Sequence, residues 1–194
     1  MLLPIKEKLR TIGFINTMRL IGGHLYSLAF RGKTLLFSAD LSMCCPDRSV
    51  ANTSLHVREV YALDGLSEGE HKDLLSYGGK RLEKAFTLLL DQRYRLFLGS
   101  LNGAMAGACW VRTGEDFKVE GVYLTSKDFL ISRSFTIYRF RSQGVFSGII
   151  LSILTKMKNE GFERGYICCD ESNVASQKGI MKAGFHYVDM GDVN

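Results

Sequence analysis

A chain of 194 residues, 46% hydrophobic and 23% charged, carries enough apolar surface for a packed globular domain, which excludes a disordered or fibrous chain. Its 25 basic residues against 20 acidic ones give a net charge of +5 and a pI near 9.0, a balance that suits anionic ligands such as nucleic acid, lipid headgroups or phosphorylated cofactors. No apolar run reaches the ~18 residues of a membrane span, and the opening MLLPIKEKLR lacks signal-peptide order, so the chain reads as cytoplasmic.

Residues 1–50 read as an N-terminal elaboration packed on the body, and residues 51–194 as the main domain. In residues 1–25 apolar positions recur at helical spacing among Lys6, Lys8, Arg10 and Arg19; such a helix packs on the body or lies on a membrane surface. Tyr26–Phe30 and Thr34–Phe37 flank Arg31-Gly32-Lys33 as the arms of a hairpin, and Cys45-Pro46-Asp47-Arg48 reads as a turn. Leu55–Ala62 alternates like a strand. Ser67-Glu68-Gly69-Glu70 has capping-box spacing and starts a helix, which Gly78-Gly79 interrupts before a second helix over Lys80–Leu90. Tyr94–Leu101 and Ala104–Val111 are strands joined by Asn102-Gly103, a two-residue hairpin signal. Val119–Thr125 and Phe129–Thr136 are expected to continue an antiparallel sheet.

After Gly144 the pattern changes. Val145, Phe146, Ile149, Ile150, Ile153, Leu154 and Met157 repeat at helical spacing, with Lys156 and Lys158 in the last turn and Gly161 as the stop. Tyr166–Cys169 is a short apolar strand, and a strand–helix–strand unit favours parallel pairing. A second helix follows Asn173 and ends at Gly184, and His186–Met190 returns as a strand. The sum is an α/β (α+β) fold with a mixed sheet and helices packed on it.

The five cysteines, Cys44, Cys45, Cys109, Cys168 and Cys169, show no CxxC or Cys/His spacing for zinc. They read as small buried hydrophobes in a reducing compartment, with Cys168 and Cys169 on opposite faces of a strand. His24, His56, His71 and His186 form no ligand cluster, so no metal is assigned.

The loop Arg141–Ser147 carries the chemistry. The first turn of a helix leaves N–H groups unpaired at the positive end of its dipole, which suits a pyrophosphate. Gly144 lets the backbone approach closely, and Arg139 and Arg141 add charge. Asn173-Val-Ala-Ser176 and Lys182-Ala-Gly184-Phe185 follow at fixed spacing, as a capped and stopped helix.

Arg141-Ser-Gln-Gly144-Val-Phe146, Asn173-Val-Ala-Ser176 and Lys182-Ala-Gly184-Phe185 together resemble the acetyl-CoA core of the GNAT N-acyltransferase superfamily. The resemblance covers Leu55 to Val188 in element order, and its specific motifs span residues 129–185. It implies a mainly antiparallel central sheet with helices on both faces, and acetyl-CoA or another acyl-CoA as the bound donor. The implied contacts are Arg141, Ser142, Gln143, Gly144, Val145, Phe146, Ser147 and Asn173, with the strand edge at Ser134, Phe135 and Thr136 pairing with the pantetheine arm and supplying a backbone donor. The segment Gly32–Leu41 and Ser176 carry a narrower likeness to members associated with bacterial surface-polysaccharide synthesis.

The implied reaction moves the acyl group to a primary amine of a small molecule or amino sugar, nucleotide-linked forms included. The amine must be neutral to attack, so a carboxylate should take its proton. Phe129–Thr136 holds no acid, which leaves Asp170 first and Glu171 second; Glu120 and solvent are the fallbacks. Two positions depart from the family pattern. Phe146 stands where the family has Gly or Ala, and Ile180 stands where many members carry a proton-donating tyrosine, so another acid or solvent must serve. Tyr94, Trp110, Tyr123 and Tyr138 are candidates to line an acceptor cleft.

Two other readings stay open. Phe146 and Ile180 suit an acyl-CoA-binding module without catalysis. Arg93-Tyr-Arg95 and Tyr138-Arg-Phe-Arg141 interleave basic and aromatic residues as aminoacyl-tRNA or RNA surfaces do. Pairing with a second copy of the chain is open too.

Overall fold

The computed structural model describes residues 33–43, 54–91, 94–114 and 118–189. Two neighbouring strands of opposite direction begin the main body. They are β2 (Leu55–Val60) and β3 (Arg95–Leu101), linked by helix α1 (Glu68–Asp91). At the start of α1, Ser67 Oγ accepts from the Glu70 N–H at 3.2 Å and Glu70 Oε2 accepts from the Ser67 N–H at 2.9 Å, the reciprocal capping box. The helix breaks at Gly79, whose φ of 63° and ψ of −169° leave helical space, as the double glycine predicts. Strand β4 (Ala104–Thr113) follows β3 through Asn102 (φ 52°) and Gly103 (φ 76°), the positive pair that a tight hairpin requires.

The rest of the sheet comes from β7 (Asp128–Thr136), β8 (Arg164–Asp170), β1 (Thr34–Asp40) and β9 (His186–Tyr187). The seven strands lie in the order β2-β3-β4-β7-β8-β1-β9. Every neighbouring pair is antiparallel except β7 and β8. Between β7 and β8 runs helix α2 (Val145–Asn159), and between β8 and β9 helix α3 (Val174–Lys182).

Strand alternation sends side chains to two layers. On one face Phe97, Cys109, Phe129, Ile131 and Ile167 meet Ile149, Ile150, Ile153 and Met157 of α2 and Ile180 of α3. Burying each of these isoleucines contributes about 1.5–3 kcal/mol, which holds α2 on the sheet. On the other face Leu96, Leu98, Met105, Ala108 and Trp110 meet Leu74, Phe86 and Leu89 of α1. Helices therefore cover both faces of a mainly antiparallel sheet.

One expectation changes. Val119–Thr125 does not join the sheet: β5 (Lys118–Val119) and β6 (Val122–Tyr123) form a separate two-stranded ribbon. Glu120 (φ 41°) and Gly121 (φ 93°) close it on itself, and Val119, Val122 and Leu124 pack down on Leu36, Leu130, Tyr166 and Cys168. Thr34–Phe37 is a strand, as read, while the other arm of its hairpin, Tyr26–Phe30, falls outside the described residues. β1 lies inside the sheet, with Thr34 opposite Asp170 of β8 on one side and Phe37 opposite Tyr187 of β9 on the other. Its apolar residues serve both faces: Phe37 joins the α2 layer and Leu36 the ribbon layer, as an interior strand requires. Tyr26–Phe30, the helix read in residues 1–25 and the Cys45-Pro46 turn lie outside the described residues. The last strand is shorter than His186–Met190, although the Val188 N–H still donates to Leu36 O at 2.9 Å.

A charged network ties the far end of α2 to β2 and β3. Arg95 donates to Glu59 at 2.7 Å and to both Glu160 oxygens, and Lys156 lies 2.9 Å from Glu160. The Arg95 bond is the main reason that the Glu160 carboxyl is held down to about 2 from 4.5. A depressed carboxyl stabilises the fold above its unfolded pKa and loses that contribution as pH falls through the folded one. Wild type is therefore expected to be more stable than Glu160→Gln above pH 4.5, with the difference shrinking to nothing near pH 2. Denaturant melts of both proteins at pH 7, 4 and 2 check this; a constant difference at all three would show that Glu160 is not held this way. No helix among the described residues is long and apolar enough to cross a membrane.

Candidate active site

The pairing of β7 with β8 stops at Ile131 opposite Ile167, although both strands continue. Beyond that point β7 keeps only β4 as a neighbour, with Ser132 opposite Trp110 and Thr136 opposite Gly107. β8 keeps only β1, with Cys168 opposite Leu36 and Asp170 opposite Thr34. The two strands part, and the edges Ser132–Thr136 and Cys168–Asp170 face each other without ladder partners. Main-chain donors and acceptors left this way inside a sheet call for a ligand or water. A bulge in β7 sharpens the parting. The register with β4 shifts between Ala108 and Trp110, and Arg133 takes a φ of 47°.

The chain leaves β7 at Thr136 and turns through Tyr138–Phe140 into the predicted loop. Ser142 (φ 61°) and Gly144 (φ 77°) are both left-handed, and Gly144 is the N-cap of α2. Gly144 O accepts the first helical bond, from the Gly148 N–H at 2.8 Å. The N–H groups of Val145, Phe146 and Ser147 precede that bond and point out of the helix start. Val145 is buried, so it offers main chain only. Ser147 Oγ donates to Gly144 O at 3.1 Å, and Gln143 Nε2 donates to Arg139 O at 2.9 Å; both bonds brace the loop. Arg141 donates from Nε to Thr136 O at 3.4 Å and lies over the Tyr138 ring.

Phe146 turns away from the loop. A Cβ added to Gly179 of α3 would lie 2.7 Å from its ring, so Phe146 packs into the α2–α3 contact and Gly179 makes the room. The bulky residue is therefore compatible with a phosphate at the helix start. Ile180 is fully buried in the same layer and offers no proton. Asn173 caps α3, its Oδ1 accepting from the Ser176 N–H at 3.1 Å.

Asp170 ends β8 at the gap and Glu171 follows it. Asp170 Oδ1 accepts from the Ser172 N–H at 2.8 Å and from Ser172 Oγ, forming the turn that leads to Asn173. Glu171 is exposed, its N–H donates to Lys33 O at 2.9 Å, and its O accepts from Gln177 at 2.6 Å. On β7, Ser134 lies beside Cys109 and Phe135 stacks on Tyr77 at 4.8 Å and 11°.

Tyr77 was not among the predicted residues. It sits just before the Gly78-Gly79 break of α1, and that placement is the signal in the sequence that could have marked it. Burial pushes its phenol up, while the charge of the nearby Arg141 guanidinium works the other way. Ser132 was also missed. Its Oγ is buried and has no hydrogen-bond partner, at the point where the strands part.

The other candidates fall elsewhere. Trp110 is core, edge-on to Phe86 at 4.9 Å. Tyr94 packs beside the α1 layer, and Tyr123 and Tyr138 are exposed. Arg139 is paired with Asp73 at 2.7 Å and stacks on Phe140, so the basic–aromatic run from Tyr138 is folded on its own neighbours. Arg93 lies outside the described residues. A cleft of about 790 Å³ lies instead by β2 and the start of α1, lined by His56, Arg58, Ser67, Glu70 and Asn102 among others. Its acid is saturated, since Glu70 accepts from Arg58, Ser67 and Ser100. Among the described residues no group of three His, Cys, Asp or Glu side chains could hold a metal.

No family model matches the chain, and no curated protein matches it. Solved structures do. A GNAT-family acetyltransferase from Colwellia psychrerythraea superposes with a TM-score of 0.57 at 16% identity, over 81% of this chain and 53% of that one. A GCN5-related N-acetyltransferase from Sphaerobacter thermophilus gives 0.55 at 15%, over 89% and 53%. The chain has the GNAT acetyltransferase fold. An aminoglycoside acetyltransferase from an uncultured soil metagenomic sample, in complex with sisomicin, gives 0.51 at 15% identity, over 68% of this chain and 88% of that one. The chain spans about half the length, 53%, of the Colwellia and Sphaerobacter proteins. The GNAT fold accounts for the positions of the parted strands and of the helix start, β7 and β8 flanking the gap and α2 opening beside it.

Proposed function

We propose that the chain is an N-acyltransferase of the GNAT superfamily, moving an acetyl or other acyl group from acyl-CoA to a primary amine of a small molecule or amino sugar. One observation carries the reading: a parted strand pair opens beside a glycine-capped helix start. The residues fit the donor. The N–H groups of Val145, Phe146 and Ser147, with Arg141, Ser142 and Gln143 ahead of them, would hold a pyrophosphate. Phe146 leaves the space clear, and the edge at Ser134, Phe135 and Thr136, which has no strand beside it, would pair with an extended amide-bearing arm as a strand would. Asn173 holds α3 at the other wall of the gap. Bound acyl-CoA supplies an acyl group activated as a thioester.

The chain's own part is to align the amine, to stabilise the developing oxyanion with a main-chain N–H of β7, and to take up the ammonium proton with a carboxylate. Asp170, the last residue of β8, and Glu171 just after it are two candidates. The sisomicin complex of the aminoglycoside acetyltransferase supports a small-molecule amine acceptor, and the likeness of Gly32–Leu41 to surface-polysaccharide members supports an amino sugar.

Calorimetry with acetyl-CoA, followed by acetylation assays on glucosamine, sisomicin and spermidine, tests the reading. Micromolar binding and transfer to at least one amine are expected. A folded chain that does not bind acetyl-CoA would overturn it, and binding without transfer to any amine would favour the non-catalytic module.

A further inference from the structure

The ribbon of β5 and β6 runs along the face of β8 that α2 and α3 leave open. Its lower end is anchored where β7 begins, since Asp128 Oδ2 accepts from the Thr125 N–H and hydroxyl at 2.8 Å each. Leu124 then packs with Leu36 and Tyr166, and Val119 and Val122 reach the layer that holds Leu130 and Cys168. The tip of the ribbon is Glu120-Gly121. Cys168 is the first residue of β8 past its last pair with β7, so the ribbon ends where the gap begins.

Strand alternation puts Ser132, Cys168 and Asp170 on this same face. We propose that Glu120 is the carboxylate that takes the proton from the acceptor's ammonium group at the ribbon-side mouth of the gap, an inference that rests on the acyltransferase reading.

Three observations carry it. Glu120 lies within electrostatic reach of the Cys168 thiol, which its charge helps to push up after burial has done most of that. The Asp170 carboxylate is held by Ser172 in the turn before α3, whereas Glu120 is exposed at the turn of the ribbon. Ser132 Oγ is buried at the same point without a partner, and an amine or water placed there would give it one. Of the other charged groups on this face, Lys118 lies over Tyr123 at 4.7 Å, Arg164 donates to Tyr166 at 3.3 Å, and Arg112, opposite Leu130, lies over the Tyr94 ring. The proton moves from the ammonium nitrogen to a Glu120 oxygen, the electron pair stays on nitrogen for attack, and Glu120 returns the proton to solvent.

The test compares Glu120→Gln, Glu120→Asp and Asp170→Asn. With acetyl-CoA and whichever of glucosamine, sisomicin or spermidine the wild type acetylates, Glu120→Gln should lower kcat by about 100-fold or more while acetyl-CoA affinity by calorimetry stays unchanged. Glu120→Asp should recover part of the rate, and Asp170→Asn should lose less than Glu120→Gln. Independently of turnover, Glu120→Gln should speed iodoacetamide labelling of Cys168 severalfold with no change at Cys169, as followed by peptide mass spectrometry. Wild-type kcat in Glu120→Gln, unchanged Cys168 labelling, or a loss confined to Asp170→Asn would each overturn the proposal. A wild type that binds acetyl-CoA yet acetylates none of the amines would overturn it as well. Failure to bind acetyl-CoA at all would instead remove the acyltransferase reading beneath it.

Discussion

Replacing Gly144 by valine is expected to weaken acetyl-CoA binding by about 100-fold or more, roughly 2.7 kcal/mol. Gly144 stands at φ 77° as the N-cap of α2. A β-branched residue is a clear outlier there, and the left-handed conformation alone costs a non-glycine residue about 1–2 kcal/mol. The loop must then rotate to a negative φ, which turns the N–H groups of Val145, Phe146 and Ser147 away from a common ligand. The helix itself, held by Ile149, Ile150 and Ile153, should survive, so the loss should appear in binding more than in stability. Gly144→Asn is the control: asparagine visits the left-handed region at lower cost, and it should retain much more of the affinity. Calorimetry on the two folded variants reads the outcome. Equal, wild-type affinity in both would show that the helix start does not hold the donor.

A methyl group at Gly107 is expected to damage both the fold and the site. Its Cβ would stand 2.6 Å from Phe135 O and 3.3 Å from the Thr136 Cα. Both are main-chain atoms of β7, so no side chain can rotate out of the way. Gly107→Ala must push apart β4 and β7 where β7 has no second neighbour to hold it, and overpacking of this kind costs typically about 1–3 kcal/mol. For a chain of this size that is a fall in Tm of about 2–4 °C for each kcal/mol. The same displacement moves the edge of Ser134, Phe135 and Thr136, so acetyl-CoA affinity should fall as well. Gly103→Ala provides a comparison, since a Cβ there meets nothing and only the positive φ opposes it. A Gly107→Ala protein with wild-type melting and wild-type affinity would show that β4 and β7 yield freely at this point.

Much of the architecture was legible because local signals and the tertiary fold agree. Ser67 and Glu70 cap α1 as their spacing predicts. Gly79 breaks that helix, Asn102-Gly103 turns the hairpin, and the isoleucine period of α2 matches the face that it buries. The parallel pairing of β7 with β8 followed from the helix between them. The ribbon was misplaced for a physical reason. A short apolar segment carries no mark of which strand it will lie beside, and partner choice depends on residues far away in the chain.

For the site, the sequence by itself determined the helix start and the cap. Gly144 and Asn173 act through their own backbone conformation and their nearest neighbours in the chain, so their local pattern is enough. Only the tertiary structure decided which way Phe146 points, because the space that it fills is made by Gly179 on another helix. It also decided that Tyr77 meets Phe135 and Arg141, that Ser132 Oγ lies buried where two strands part, and that Glu120 ends a ribbon beside Cys168. Each of these places brings together residues from separate elements. Side-chain surroundings of that kind arise only when the elements pack, since no periodicity within one segment records what another segment will set against it.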